Sequence, residues 1–191
     1  MSYANPTIPI PPNPIFIDYS IAELQTLLGG IPWLTHCFGR SYAKEETRSG
    51  YLTKQPFVYK GSAEYLPVQF NDNLQAQSFF EVGSQTIVGD FMPFSINFYN
   101  VPLSVVFWAN LKKIDSTKGA SYYFAEQLKK DVRDLLRGSM LQGAKIVIES
   151  IDENIDEIFS KYTFEQIDRQ YFSYPYVAFK FNLTLTIQEE C

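Results

Sequence analysis

The strongest constraint on the fold is a strict alternation of apolar and polar residues close to the C-terminus. Apolar side chains occupy every second position from Val177 to Ile187, and alanine, lysine, asparagine and threonine lie between them. Successive side chains of a β-strand point to opposite faces of the sheet. One apolar face and one polar face are typical of an antiparallel strand with a core on one side and water on the other. The chain is therefore predicted to close on an antiparallel strand, Tyr176–Glu189.

Further strands are predicted before it. Alternating apolar residues over Val101–Ile114 indicate a long central strand, and Lys145–Ile151 indicates another. The closing strand is expected beside one of these two. Four shorter, aromatic-rich strands are predicted between Gly, Asn, Asp and Pro residues: Gln55–Lys60, Leu66–Phe70, Ser78–Val82 and Phe94–Tyr99.

Helices are predicted at three places. Ser20 and Glu23 have the spacing of a capping box, which predicts a helix ending at Gly29-Gly30. A second helical stretch is predicted from Trp33 to Lys44. The third helix, Ser121–Arg137, has an apolar stripe that would cover one face of the sheet.

In this third helix the apolar stripe consists of Phe124, Leu128, Val132 and Leu135. Lys129 is expected toward solvent on the opposite side. Gly138 follows the helix, where a residue in the left-handed conformation often ends it.

Proline sets the N-terminal segment apart from the rest of the chain. Five of the eleven prolines lie in the first sixteen residues. Proline fixes φ and removes a backbone donor, which predicts an extended, partly polyproline-II arm. We expect either a disordered terminus or an arm that docks on a neighbouring subunit, because a stiff segment loses little entropy on binding. The candidate subunit interface is Pro9, Ile10, Pro11, Pro12, Ile15 and Phe16.

Length and composition then predict the fold class. The chain has 191 residues, 46% hydrophobic and 19% charged, enough for one packed core. Residues 1–17 are predicted as the Pro-rich arm and residues 18–191 as a single α+β domain. The domain is expected to be a mostly antiparallel β-sheet covered on one face by an amphipathic helix, with an N-terminal helix before it.

Charge and cysteine content narrow the function classes. The net charge is −5 and the basic residues are dispersed, which argues against a surface that grips nucleic acid. Apolar runs are shorter than the roughly 20 residues that cross a bilayer, and the N-terminus has no signal-peptide pattern, so a cytoplasmic location is expected. Cys37 and Cys191 are expected to be free thiols.

Few residues in the sequence have the pattern of a chemical site. His36 is the single histidine, and the usual nucleotide-binding glycine motifs are missing, so no cofactor and no catalytic residue are predicted. Trp33 and Trp108 are expected to be core or interface anchors. An acidic group could hold a divalent metal, form an electrostatic interface, or be the solvated face of a short helix. Its members are Glu149, Asp152, Glu153, Asp156 and Glu157.

The order of these elements resembles that of the tail terminator and tail-completion proteins of tailed bacteriophages. It runs from a capped helix through aromatic strands to the long strand Val101–Ile114, the helix Ser121–Arg137, the strand Lys145–Ile151 and the closing strand. The resemblance spans residues 18–190. It is one of element order and includes no signature residue.

This resemblance implies a non-enzymatic structural protein of the virion, assembled in the host cytoplasm. Such subunits form rings, commonly of six with twelve as a variant, at the head–tail joint, neck or tail end. The ring would contact connector and tail proteins, and DNA would pass through it without sequence-specific binding. The polar face of the closing strand then becomes a candidate channel or contact face: Lys180, Asn182, Thr184 and Thr186.

Two alternatives belong to other function classes. One is a metal-dependent enzyme that uses the acidic group at residues 149–157. The other is a partner-binding module that acts through the Pro-rich arm.

Overall fold

A mostly antiparallel β-sheet forms the centre of the fold. The computed structural model describes residues 6–48, 50–91, 96–163 and 166–190. Within them the strands are β1 (His36–Arg48), β2 (Tyr51–Gly61), β3 (Glu64–Pro67), β4 (Ala76–Val82), β5 (Thr86–Phe91), β6 (Ile96–Asn110), β7 (Ala144–Asp152) and β8 (Tyr176–Glu190). The α-helices are α1 (Ile17–Leu28), α2 (Leu111–Ile114), α3 (Tyr123–Arg137) and α4 (Ile155–Ile158). The predicted α+β class is confirmed.

The strands lie in the order β3-β2-β1-β4-β6-β8-β7, and β5 also pairs with β6. β1 and β4 run parallel, and the other paired strands are antiparallel. β6 and β8 pair along their full length, from Ile96 opposite Glu190 to Asn110 opposite Tyr176. The closing strand therefore lies between both of its expected neighbours, with β6 on one side and β7 on the other.

The helices α1 and α3 cover one face of this sheet. The apolar residues of β8 from Phe179 to Ile187 are buried there with those of β6. Leu128 and Val132 of α3 and Leu24 of α1 pack into the same cluster. The covering helix and the apolar face of the closing strand are thus confirmed. Trp33 is buried in this cluster, as expected of a core anchor.

The opposite face of the sheet carries a second, smaller core. Trp108 of β6 is its centre, 1% exposed, and its indole Nε1 donates a hydrogen bond to the carbonyl oxygen of Tyr171, 2.7 Å away. Phe70 and Tyr176 pack against the indole ring, and Phe159 packs against Phe70. The segment around α4 therefore covers part of the polar face of β8. The alternation in the sequence predicted that this whole face is exposed to solvent.

Four of the predicted elements differ clearly from the structure, and β5 was not predicted. The predicted helix Trp33–Lys44 is wrong, because residues from His36 onward form β1. The central strand ends at Asn110, whose side chain accepts from the Lys113 N–H and caps α2. Of the predicted strand Leu66–Phe70, only Leu66 and Pro67 belong to a strand, which is β3. Of Phe94–Tyr99, residues 94 and 95 lie outside the described residues, and the rest belongs to β6.

The predicted end of the first helix at Gly29 is confirmed, but its predicted start and the predicted left-handed Gly138 are wrong. α1 begins at Ile17, so Ser20 lies inside its first turn and is buried. The Glu23 carboxylate accepts instead from the backbone N–H of Gln142, at 3.2 Å. Gly138 has φ −85°, an ordinary right-handed value.

Lys129 of α3 is buried, although the sequence predicted that it faces solvent. The residue is 3% exposed, and its ammonium contacts the carboxylates of Glu126 and Glu153, the latter at 2.7 Å. Glu153 comes from the connection between β7 and α4. A buried cation is tolerated where carboxylates pair with it, so this contact ties the covering helix to the sheet.

Candidate assembly surfaces

The N-terminal arm lies along its own subunit. The Thr7 N–H donates to the Thr35 carbonyl at 2.8 Å, and the Cys37 N–H donates to the Thr7 carbonyl at 3.0 Å. Together these bonds form a parallel bridge between Thr7 and His36, at the start of β1. β2 begins to pair with β1 only at Ser41. The arm thus fills the edge of β1 that β2 does not reach.

The arm also contacts α1 and the glycine that follows it. The buried Gln25 amide donates to the Pro9 carbonyl at 3.2 Å and to the Cys37 carbonyl at 2.9 Å. Gly29 leaves room for Ile8, since a Cβ at Gly29 would lie 2.2 Å from the Ile8 Cδ1 atom. We call residues 6–12 the docked arm, and Gln25, Gly29, Thr35 and Cys37 its receptor.

The candidate interface residues of the arm divide into two groups. Pro9 and Pro11 are half-buried, and Phe16 packs edge-on against Tyr99 with ring centroids 5.2 Å apart. Ile10 and Pro12 are exposed, and Ile15 is 78% exposed. The exposed group is the part of the arm that another molecule could cover.

A tyrosine cluster faces the arm across a cleft of about 180 Å³. Tyr65 contacts both Tyr42 and Tyr59, with ring centroids 5.6 Å apart in each pair. The Arg40 guanidinium lies 5.2 Å from the centroid of the Tyr42 ring. Prolines 11, 12 and 14 form the opposite wall. Aromatic walls of this kind suit proline-rich segments.

The tyrosine cluster and the receptor are functional candidates that sequence reasoning missed. The surplus of tyrosine was visible in the composition, with 13 in the chain. Bringing Tyr42, Tyr59 and Tyr65 together depends on the register between β1, β2 and β3. No motif in the sequence specifies that register.

The candidate channel or contact face is only partly open. Lys180 is 8% exposed, and its ammonium donates to the Glu157 carbonyl at 2.6 Å and lies 3.5 Å from the Asp152 carboxylate. α4 therefore removes Lys180 from the predicted face. The Asn182 amide donates to Ser150 and Asp152.

Thr184 and Thr186 lie on the open part of this sheet face. Both are half-buried, and the Thr186 hydroxyl donates to the Asn100 side chain at 2.8 Å. Thr184 is flanked by Pro102 of β6 and Val147 of β7, both exposed. Two exposed charged residues of β7, Lys145 opposite Thr186 and Glu149 two positions after Val147, lie along the edge of this face.

The acidic group at residues 149–157 does not converge on one point. Asp152 faces Lys180 and Glu153 faces Lys129. Asp156 and Glu157 are exposed on α4, while Ile158 is buried, which is the solvated helix face that the sequence analysis described. Among the described residues, no three His, Cys, Asp or Glu side chains are grouped to hold a metal ion.

Cys37 is fully buried, and burial raises the pKa of its thiol to about 12, with a smaller opposing effect from the Ser78 hydroxyl that donates to its Sγ. A thiol with this pKa is unreactive near neutral pH. Cys191 lies outside the described residues.

His36 is half-buried at the end of the arm bridge. Burial lowers its pKa below 6.5, and the charge of Lys60 lowers it further. The unfolded chain thus binds a proton at a higher pH than the folded chain does. We expect the free energy of unfolding to fall as the pH decreases from about 6.5 toward the folded-state pKa. Urea unfolding between pH 7.5 and 5 measures this slope, and His36→Gln should remove the His36 contribution; an unchanged slope in that variant would contradict the assignment.

Comparison with known proteins gives no family for this chain. No family model matches it, and no curated protein matches its sequence. Within the described residues, no helix combines the length and the apolar character needed to span a bilayer.

Proposed function

We propose that this chain is a structural subunit that forms a ring at the head–tail joint or tail end of a tailed bacteriophage, as a tail terminator, neck or connector protein. The observation that carries this proposal is the order of elements. The helix α1, the strands β1–β6, the covering helix α3 and the closing strands β7 and β8 follow one another along the chain, and this order resembles that of the family. Shared order supports a shared fold, and the step to function is an analogy.

The surfaces described above are compatible with that role. A stable interface between subunits buries more than about 1,000 Å². The exposed side of the arm, with Ile10 and Ile15, and the tyrosine cluster offer apolar area for such a contact. The open polar face around Thr184 and Thr186 would be the part of β8 available to face a channel.

Particle mass and shape test the proposal. Mass photometry and negative-stain microscopy would be applied to the purified chain, alone and with the tail-tube and connector proteins of the same phage. We expect closed rings of six or twelve copies in at least one of these mixtures. A chain that stays monomeric in all of them would refute the proposal. Calorimetric titration with Mg²⁺, Mn²⁺ and Ca²⁺ tests the metal-enzyme alternative, which millimolar metal without a heat of binding would remove.

A further inference from the structure

The receptor of the arm requires an occupant. The Cys37 N–H belongs to a fully buried residue and has the Thr7 carbonyl as its acceptor. A buried backbone donor without an acceptor is strongly disfavoured. Gly29 leaves a space for Ile8, and Gln25 directs its amide to the Pro9 carbonyl. These contacts specify an extended segment with the sequence of this arm, whichever copy of the chain supplies it.

The connection from the docked arm to α1 has an unfavourable backbone. Asn13 and Phe16 both have φ 51°, in the left-handed region, which is rare for a bulky residue such as phenylalanine and better tolerated by asparagine. Asn13 also precedes Pro14, which restricts its backbone to extended conformations. Phe16 has ψ −121°, in a sparsely populated region. Residues 13–16, which we call the hinge, thus have a strained backbone when the arm lies on its own subunit.

We infer that neighbouring copies of this chain exchange their arms, so that residues 6–12 of one copy occupy the receptor of the next. The arm makes the same hydrogen bonds in either copy, while an extended hinge removes the two left-handed residues. Exchange of an identical element is a low-cost route to assembly.

Exchange rests on the ring assembly proposed above. In a ring the neighbouring receptor is held close, and its effective concentration is high. An extended hinge of four residues reaches at most about 14 Å, so the receptor must lie on an adjacent copy. The exposed Ile15, at the centre of the hinge, would then lie between the two subunits and become covered.

A disulfide between arm and receptor shows which copy the arm occupies. Thr7 and His36 are partners in a parallel bridge, and neighbouring strands lie within the Cα separation that a disulfide accepts. Thr7→Cys and His36→Cys would be combined with Cys191→Ser. The assembled protein is oxidised, denatured and separated on a non-reducing gel, with the Thr7→Cys single variant as the control.

We expect a ladder of covalent oligomers that is absent from the control. Assembled rings that yield only monomer bands would overturn exchange and leave the proposed function standing. The absence of any ring, with or without the phage partner proteins, would overturn both.

Two substitutions at the exposed Asn13 provide an independent readout. Asn13→Gly makes the left-handed φ acceptable and should favour the closed monomer, raising the concentration for half-assembly roughly two- to fivefold. Asn13→Pro fixes φ at a negative value, which extends the hinge and should lower that concentration. Equal assembly by both variants, or the opposite order, would overturn exchange.

Discussion

Replacing Trp108 with alanine is expected to lower the free energy of unfolding by about 3–5 kcal/mol. The indole is almost fully buried, stacks on Tyr176 with ring centroids 5.3 Å apart, and holds the Tyr171 carbonyl through its Nε1. The substitution leaves a cavity and an unpaired carbonyl on the face of the sheet that the segment around α4 covers. Urea unfolding followed by circular dichroism measures the loss.

Two further variants test the cause of that loss. Tyr123→Ala removes an aromatic ring that is 87% exposed and should change stability by less than about 0.5 kcal/mol. Trp108→Phe keeps a buried aromatic ring but loses the hydrogen bond and part of the ring volume, so its cost should be intermediate. A Trp108→Ala variant as stable as Tyr123→Ala would show that the second core is not formed in solution.

Deleting residues 1–12 is expected to abolish ring assembly while the domain stays folded. The two helix-covered strands β6 and β8 hold the main core without the arm. The deletion leaves the Cys37 N–H and part of the Gln25 amide without acceptors, at a cost of about 1–3 kcal/mol. Mass photometry gives the assembly state, and thermal unfolding gives the stability of the same sample.

The control for this deletion keeps the arm but changes an exposed side chain. Ile10→Ala leaves the receptor contacts of Thr7, Ile8 and Pro9 intact and removes only exposed apolar area, so we expect assembly that is weaker than in the wild type but not lost. Rings formed at wild-type concentration by the truncated chain would contradict a role of the arm in assembly. Complete unfolding of the truncated chain would show that the arm belongs to the fold instead.

Periodicity predicted the elements that have one buried face. β8 and α3 each pack one side on the main core, and their apolar faces were predicted correctly, with boundaries close to those observed, although Lys180 and Lys129 on the other faces are buried. β1 was missed because both of its faces are buried where it begins. Cys37 belongs to one core and Phe38 to the other. A strand buried on both sides shows no alternation, so it cannot be told from a helix by period.

The candidate site could be predicted only in part, for a related reason. The arm and the polar positions of β8 are local patterns, and both were located. The burial of Lys180 depends on α4 folding over the sheet, and that of Lys129 depends on Glu153 from a distant connection. The tyrosine cluster depends in the same way on strand register. Contacts between segments far apart in the chain leave no local pattern in the sequence.

The parallel pairing of β1 with β4 sets the order in which the receptor can mature. β1 pairs with the following strand β2, but its other neighbour is β4, where His36 pairs with Gln77, so that edge of β1 is filled only after the chain has passed through β2 and β3. Non-local pairings of this kind form slowly. The arm precedes its receptor in the chain, so it has no partner until Thr35 and Cys37 are in place. If arms are exchanged as inferred above, the concentration of subunits that are still folding then decides whether an arm binds its own receptor or that of a neighbour.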